Sequence, residues 1–155
     1  METMLNVLNR VNAPEDLKKL SVGEMTELAS EMRELIIKKV NTIGGHFGPN
    51  LGMVEMTIAM HRVFNSPIDK FVFDVSHQCY SHKILTGRKE GFIESDKYLK
   101  YTGYTAPEET PHDLFKVGHT STSVSLATGL AKARDLKKRH GDLKKQLSDF
   151  KHFYH

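Results

Sequence analysis

Three histidines sit where a histidine can do chemistry. His46 lies in a run of glycines, TIGGHFGPNLG, with Gly44, Gly45, Gly48 and Gly52 around it. Glycines at this density let the backbone take positive φ and approach a ligand closely. His77 follows an apolar stretch, residues 70–75, that reads as a strand, and a histidine just past the carboxyl end of a strand stands where open α/β sheets bind ligands. His119 lies in the run Gly118, His119, Thr120, Ser121, Thr122, Ser123 at the expected start of a helix. Unpaired N–H groups and the positive end of a helix dipole favour an anion such as phosphate at that place. The competing reading is that the four hydroxyls only cap the helix.

Other chemistries find less support. His77, Cys79 and His82 match no common zinc spacing, and no second cysteine exists to close a structural site, so no metal ligands are assigned. The sequence contains neither a G-x-S-x-G nucleophile elbow nor a G-x-x-x-x-G-K-[ST] phosphate loop. His61, His112, His140, His152 and His155 read as packing or surface residues.

The elements that must position these loops follow from periodicity. Ser21 and Glu24 form a capping box, and Met25, Leu28, Ala29, Met32, Leu35, Ile36 and Val40 recur at helical spacing, which predicts an amphipathic helix over residues 21–44. Before it, residues 5–20 read as a strap with a short helix after Pro14. Residues 51–64 are apolar on nearly every side and predict a second helix buried at the centre of the packing, its methionines Met53, Met56 and Met60 serving the core. Glu55 interrupts that pattern at a boundary position. Phe71, Val72, Phe73 and Val75 read as a strand buried on both faces, as in parallel sheets. Residues 90–113, with Gly103, Pro107 and Pro111, predict a surface excursion able to fold over a ligand. The last helix is expected over residues 121–139, small residues allowing close packing and Gly141 stopping it.

Composition places the chain among soluble globular domains, with 155 residues of which 39% are apolar and 26% charged. The net charge of +3 comes largely from residues 132–145, so the remainder is near balance and no nucleic-acid role is expected. No apolar run approaches the roughly 20 residues that span a bilayer. With one cysteine and no leader-like amino terminus, the reading is cytoplasmic.

Taken together and in order, IGGHFGPNLG, VFDVSHQCYSHKILTGR and FKVGHTSTSVSLATGLAKARD resemble the amino-terminal segment of the 1-deoxy-D-xylulose-5-phosphate synthases, transketolase-like enzymes dependent on thiamine diphosphate. The resemblance covers residues 17–135 and implies a truncated thiamine diphosphate-binding α/β fold, helix-rich with an incomplete parallel sheet. It further implies a partial cofactor-binding domain over residues 1–141 and a divergent tail over 142–155. By the same resemblance His46 faces the reacting carbon, His77 lies against the thiamine, and Gly118, His119 and Thr120 contact the cofactor near its diphosphate. The implied reaction joins pyruvate, after loss of carbon dioxide, to glyceraldehyde 3-phosphate. Ile43, Ser76 and Ser81 depart from the family's usual threonine, glycine and proline. The family's G-D-G motif and asparagine for Mg2+, and its catalytic glutamate, find no counterpart in these 155 residues. The expectation is therefore an amino-terminal synthase fragment, inactive alone, that dimerises or meets a complementing chain. The alternative is a non-catalytic remnant serving as an interaction module.

Overall fold

The computed structural model describes residues 5–152, with side chains through residue 144. Its frame is helix α1, Val22–Ile43. The capping box forms as expected: Glu24 N–H donates to Ser21 Oγ at 3.3 Å, and Ser21 N–H donates to Glu24 Oε2 at 2.8 Å. At the other end Gly44, at φ 81°, stops the helix with its N–H on the Val40 carbonyl at 2.9 Å. The apolar stripe of α1 meets the strap, whose Val7, Leu8, Val11, Leu17 and Leu20 are buried, and a 3-10 helix does follow the strap's proline, Pro14–Lys19. Glu31 fastens the strap by accepting from the N–H groups of Asn6, Val7 and Leu8 at 2.6, 3.0 and 2.7 Å.

The expected helix over 51–64 is two pieces, α2 (Phe47–Gly52) and α3 (Val54–Val63), parted at Met53, which has φ −103° and ψ 2°. It does not lie at the centre either. Val54 and Ile58 enter the core, whereas Met56, Val63 and Phe64 are exposed. An all-apolar pattern marks surface that needs a cover, and among the described residues only one side of α3 receives it. Its outer side forms, with Val22, Met25 and Ala29 of α1, an apolar groove of about 270 Å³. Glu55 pairs with Arg33 across the two helices.

The strand over 70–75 and the incomplete parallel sheet are not seen: the described residues contain no strand. The segment is irregular and has no neighbouring strand to complete a ladder, and a strand exists only through its pairing. Its alternation survives as packing. Phe71 stacks edge-on against His61 with ring centroids 5.0 Å apart, and Phe73 lies 5.1 Å from His82. Val75 and Ser76, at φ 59° and 67°, then turn the chain sharply.

Beyond the turn come α4 (Tyr80–Lys83), a π-turn at Ile84–Arg88 and α5 (Glu90–Ile93). The expected excursion over 90–113 is ordered against the body, burying Phe92, Tyr98, Thr105, Ala106 and Asp113. The last helix, α6 (Ser123–His152), runs through Gly141 instead of stopping there. A glycine in a helix interior costs roughly 0.5–1 kcal/mol relative to alanine. The small residues Ser125, Ala127, Gly129 and Ala133 of α6 are not closely packed; Ala127, Gly129 and Ala133 stand exposed. With Ile68 and Val72, α6 walls an open groove of about 540 Å³. Residues 142–152 of the expected tail are helical; residues 153–155 lie outside the described residues, as do the side chains of His152 and His155.

Candidate active site

The first histidine loop is built by close approach. Gly45, at φ 137°, passes so near Tyr80 that a Cβ would meet the phenol oxygen at 2.8 Å. Only glycine fits there. The chain then presents His46 at the start of α2, exposed to solvent. The second loop brings His77 alongside, the two imidazoles meeting edge to face with centroids 5.0 Å apart. Tyr104, from the 90–113 segment, adds a third ring 5.9 Å from His46.

Asn50 holds the two loops in register. It is fully buried, and its Nδ2 donates to the carbonyls of His46 at 2.7 Å and His77 at 2.9 Å, while its Oδ1 accepts from Tyr80 N–H at 2.9 Å. All its amide hydrogens and its oxygen are used, so this one side chain links α2, the His77 loop and the start of α4. His77 Nδ1 is buried without a hydrogen-bond partner among the described residues, the kind of orphan that a ligand or water satisfies.

The third loop is tied to the second. Ser76 Oγ donates to the Val117 carbonyl at 2.6 Å and accepts from Thr105 N–H at 3.1 Å. Asp74 accepts from the N–H groups of Ser121, Thr122 and Ser123 at 3.1, 3.1 and 3.2 Å. Those backbone bonds, Ser121's foremost, hold the Asp74 carboxyl below its ordinary range. The anion-favouring start of α6 therefore carries a carboxylate from the chain itself. Gly118, His119 and Thr120 stand exposed beside it, with His119 Nδ1 3.2 Å from the Thr120 carbonyl. The structure brings His46 and His77 into ring contact; among the described residues no ring contact or hydrogen bond joins His119 to either.

Beneath the loops lies a buried ionic network. Arg88 donates to Glu109 at 2.8 Å and to both oxygens of Asp113 at 2.8 and 3.1 Å, while Lys83 pairs with Glu109. His82 Nε2 lies 3.1 Å from Asp113, and His82 Nδ1 lies 2.9 Å from His61 Nε2. With His82 Nε2–H donating to the Asp113 carboxylate, Nδ1 must accept from His61, leaving His61 Nδ1 a bare acceptor, and that atom has no partner among the described residues. Burial pushes His61 down to about 3 and lowers His82 as well. Burial alone would raise Asp113, but the bonds from His82 and Arg88 hold it well below the carboxylate range. Burial pushes the Cys79 thiol up to about 12. His82 is committed to this network, so His77, Cys79 and His82 do not form a ligand set, and no group of three metal-binding side chains converges among the described residues.

Asn50, Tyr104, Asp74 and Arg88 escape sequence reasoning. Asn50 does leave a trace, as the last polar residue before the apolar run that begins at Leu51. The partners of the other three lie far away along the chain, and no local pattern reports them.

Comparison with known proteins places the chain in a family. The sequence profile of 1-deoxy-D-xylulose-5-phosphate synthase matches residues 8–146. The 1-deoxy-D-xylulose-5-phosphate synthase of Nocardia farcinica is 53% identical over 129 residues, which cover 83% of this chain and 20% of that protein. The enzyme of Caldanaerobacter subterraneus subsp. tengcongensis is 50% identical over 131 residues, or 84% of this chain and 21% of that protein. That of Halothermothrix orenii is 47% identical over 146 residues, 94% and 23% respectively. The chain belongs to the 1-deoxy-D-xylulose-5-phosphate synthase family and corresponds to an amino-terminal segment of it. It spans about a fifth of the length of the curated relatives it matches.

Proposed function

We propose that this chain supplies the histidine face of a thiamine diphosphate-dependent 1-deoxy-D-xylulose-5-phosphate synthase. The substrates are pyruvate and glyceraldehyde 3-phosphate, and the products 1-deoxy-D-xylulose 5-phosphate and carbon dioxide. The observation that carries this reading is the Asn50 bridge, which fixes His46 and His77 edge to face at 5.0 Å within a chain half identical to such enzymes.

The two ends of the cofactor fare differently. For its ring end the fit is good: two imidazoles and a phenol ring converge, and His77 offers a buried nitrogen with no partner among the described residues. Its diphosphate end fits poorly. The N–H groups at the start of α6 are engaged by Asp74, and no acidic set for Mg2+ converges among the described residues. The Mg2+ donors and the activating glutamate accordingly come from outside these residues, in the same or a second polypeptide, with a homodimer as the assembled form.

When bound, thiamine diphosphate supplies the electron sink for decarboxylation and carbon–carbon bond formation. His46 exchanges a proton with the reacting group at its exposed imidazole. With the cofactor bound, His77 would lie against the thiamine and orient it, while Gly118, His119 and Thr120 would border the diphosphate once the N–H groups held by Asp74 were released. A second reading, a non-catalytic interaction module, is favoured by the apolar groove beside α3 and the open groove of mixed polarity beside α6.

Calorimetry separates the two. Thiamine diphosphate with Mg2+ is titrated into the full chain alone and into the chain joined to the remaining four-fifths of the Nocardia farcinica relative. Weak or no binding alone, micromolar binding when joined, and loss of that binding on His77→Ala are expected. Joined protein that binds no cofactor, or that binds equally well without His77, would favour the module.

A further inference from the structure

The imidazole of His46 is held in an unusual way. Among the described residues neither of its nitrogens has a hydrogen-bond partner, and the ring meets those of His77 and Tyr104 in T-shaped contacts. Free nitrogens suit a proton-exchanging group, but they leave orientation to the rings beside it. An edge-to-face pair prefers a narrow range of geometries and can supply that orientation.

Tyr104 is itself placed by the buried network. Thr102 N–H donates to Glu109 Oε1 at 2.8 Å and Ala106 N–H donates to Asp113 Oδ2 at 2.7 Å, so the backbone on both sides of Tyr104 rests on two carboxylates. One guanidinium, Arg88, grips both carboxylates, fixing the start and the end of the excursion together. Thr105 N–H adds a bond to Ser76, next to His77. The loop that carries Tyr104 is thus anchored to the histidine site itself.

We infer that Tyr104 is the positioning residue for His46, its ring edge orienting the imidazole while the Arg88 carboxylate clamp sets the ring's place. This rests on the function proposed above, yet part of its test does not. In the full chain, the Tyr104→Ala variant is expected to move the imidazole resonances of His46 and leave those of His61 in place. Tyr104→Phe, which keeps the edge and drops the hydroxyl, should restore them. Glu109→Gln, which weakens the clamp with the ring intact, should shift His46 in the same sense as Tyr104→Ala.

In the joined synthase, Tyr104→Ala should lower kcat by about tenfold to a hundredfold with KM for pyruvate little changed, as misplacement of a reacting group does, and Tyr104→Phe should rescue it. Unmoved His46 resonances in Tyr104→Ala, or a Phe variant as impaired as Ala, would overturn the assignment. Should His46→Ala leave the joined enzyme fully active, the proposed function fails, and the resonances alone decide whether Tyr104 orients the ring.

Discussion

Replacing Asn50 with alanine is the sharpest perturbation of the site. The substitution removes three hydrogen bonds, to the His46 and His77 carbonyls and from Tyr80 N–H, at a position with no solvent access. At about 1 kcal/mol net per bond the loss is about 3 kcal/mol, and the stranded Tyr80 N–H pushes it upward. In a chain of this length that corresponds to a midpoint lowered by roughly 6–12 °C. Thermal and urea unfolding followed by circular dichroism measure it, with Asn41→Ala, at an exposed position on α1, as the control expected to change little. Asn50→Asp is a second probe. It keeps the acceptor for Tyr80 but turns a carboxylate oxygen on two carbonyls, so its deficit relative to the parent should be largest at neutral pH and shrink as the acid regains its proton. An Asn50→Ala midpoint within about 1 °C of the parent would refute the bridge, since one such shift is worth well under about 1 kcal/mol.

Three further outcomes follow from the same geometry. His61 is neutral when folded, its value depressed from 6.5 to about 3, so the unfolded chain binds the extra proton between those limits. Its contribution to stability is complete above pH 6.5 and falls by about 1.4 kcal/mol per unit as pH drops towards 3, a slope that His61→Gln should reduce in urea titrations. Ser76 has a positive φ that costs a non-glycine residue about 1–2 kcal/mol, set against its bonds to Val117 and Thr105. Ser76→Ala keeps the strain and loses the bonds, and should unfold more easily than Ser76→Gly, which loses both; equal midpoints would contradict this. Cys79 is buried with its thiol pushed up to about 12, so alkylation of the native chain should be slow and become fast only in denaturant.

What could be read in advance was whatever depends on near neighbours in sequence. The Ser21–Glu24 capping box, the stripe from Met25 to Val40 and the positive φ of Gly44 and Gly45 all act within a few residues and stand in the structure as expected, whereas Gly48 and Gly52 take ordinary helical places in α2. The segment over 70–75 failed as a strand because its apolar alternation describes faces, while pairing depends on another stretch of chain. The apolar run after Asn50 breaks at Met53, directly after Gly52, and its hydrophobic pattern alone did not place that break. Gly141 is a tolerable cost inside a helix, not a compulsory stop, which is why α6 runs on. In the site, His46 and His77 lie together, and their loops carry strong local signals. Asn50, Tyr104 and Arg88 went unseen because their significance lies in distant partners.

The central claim is that His46 and His77 form one working site. The most direct measurement is product formation from pyruvate and glyceraldehyde 3-phosphate by the chain joined to the remainder of a relative, with His46→Ala and His77→Ala made singly and together. The account predicts that each single variant loses at least about a hundredfold in kcat/KM, with the double variant losing far less than the product of the two, as groups acting as a unit do. Single variants that retain full activity, or losses that simply multiply, would contradict it.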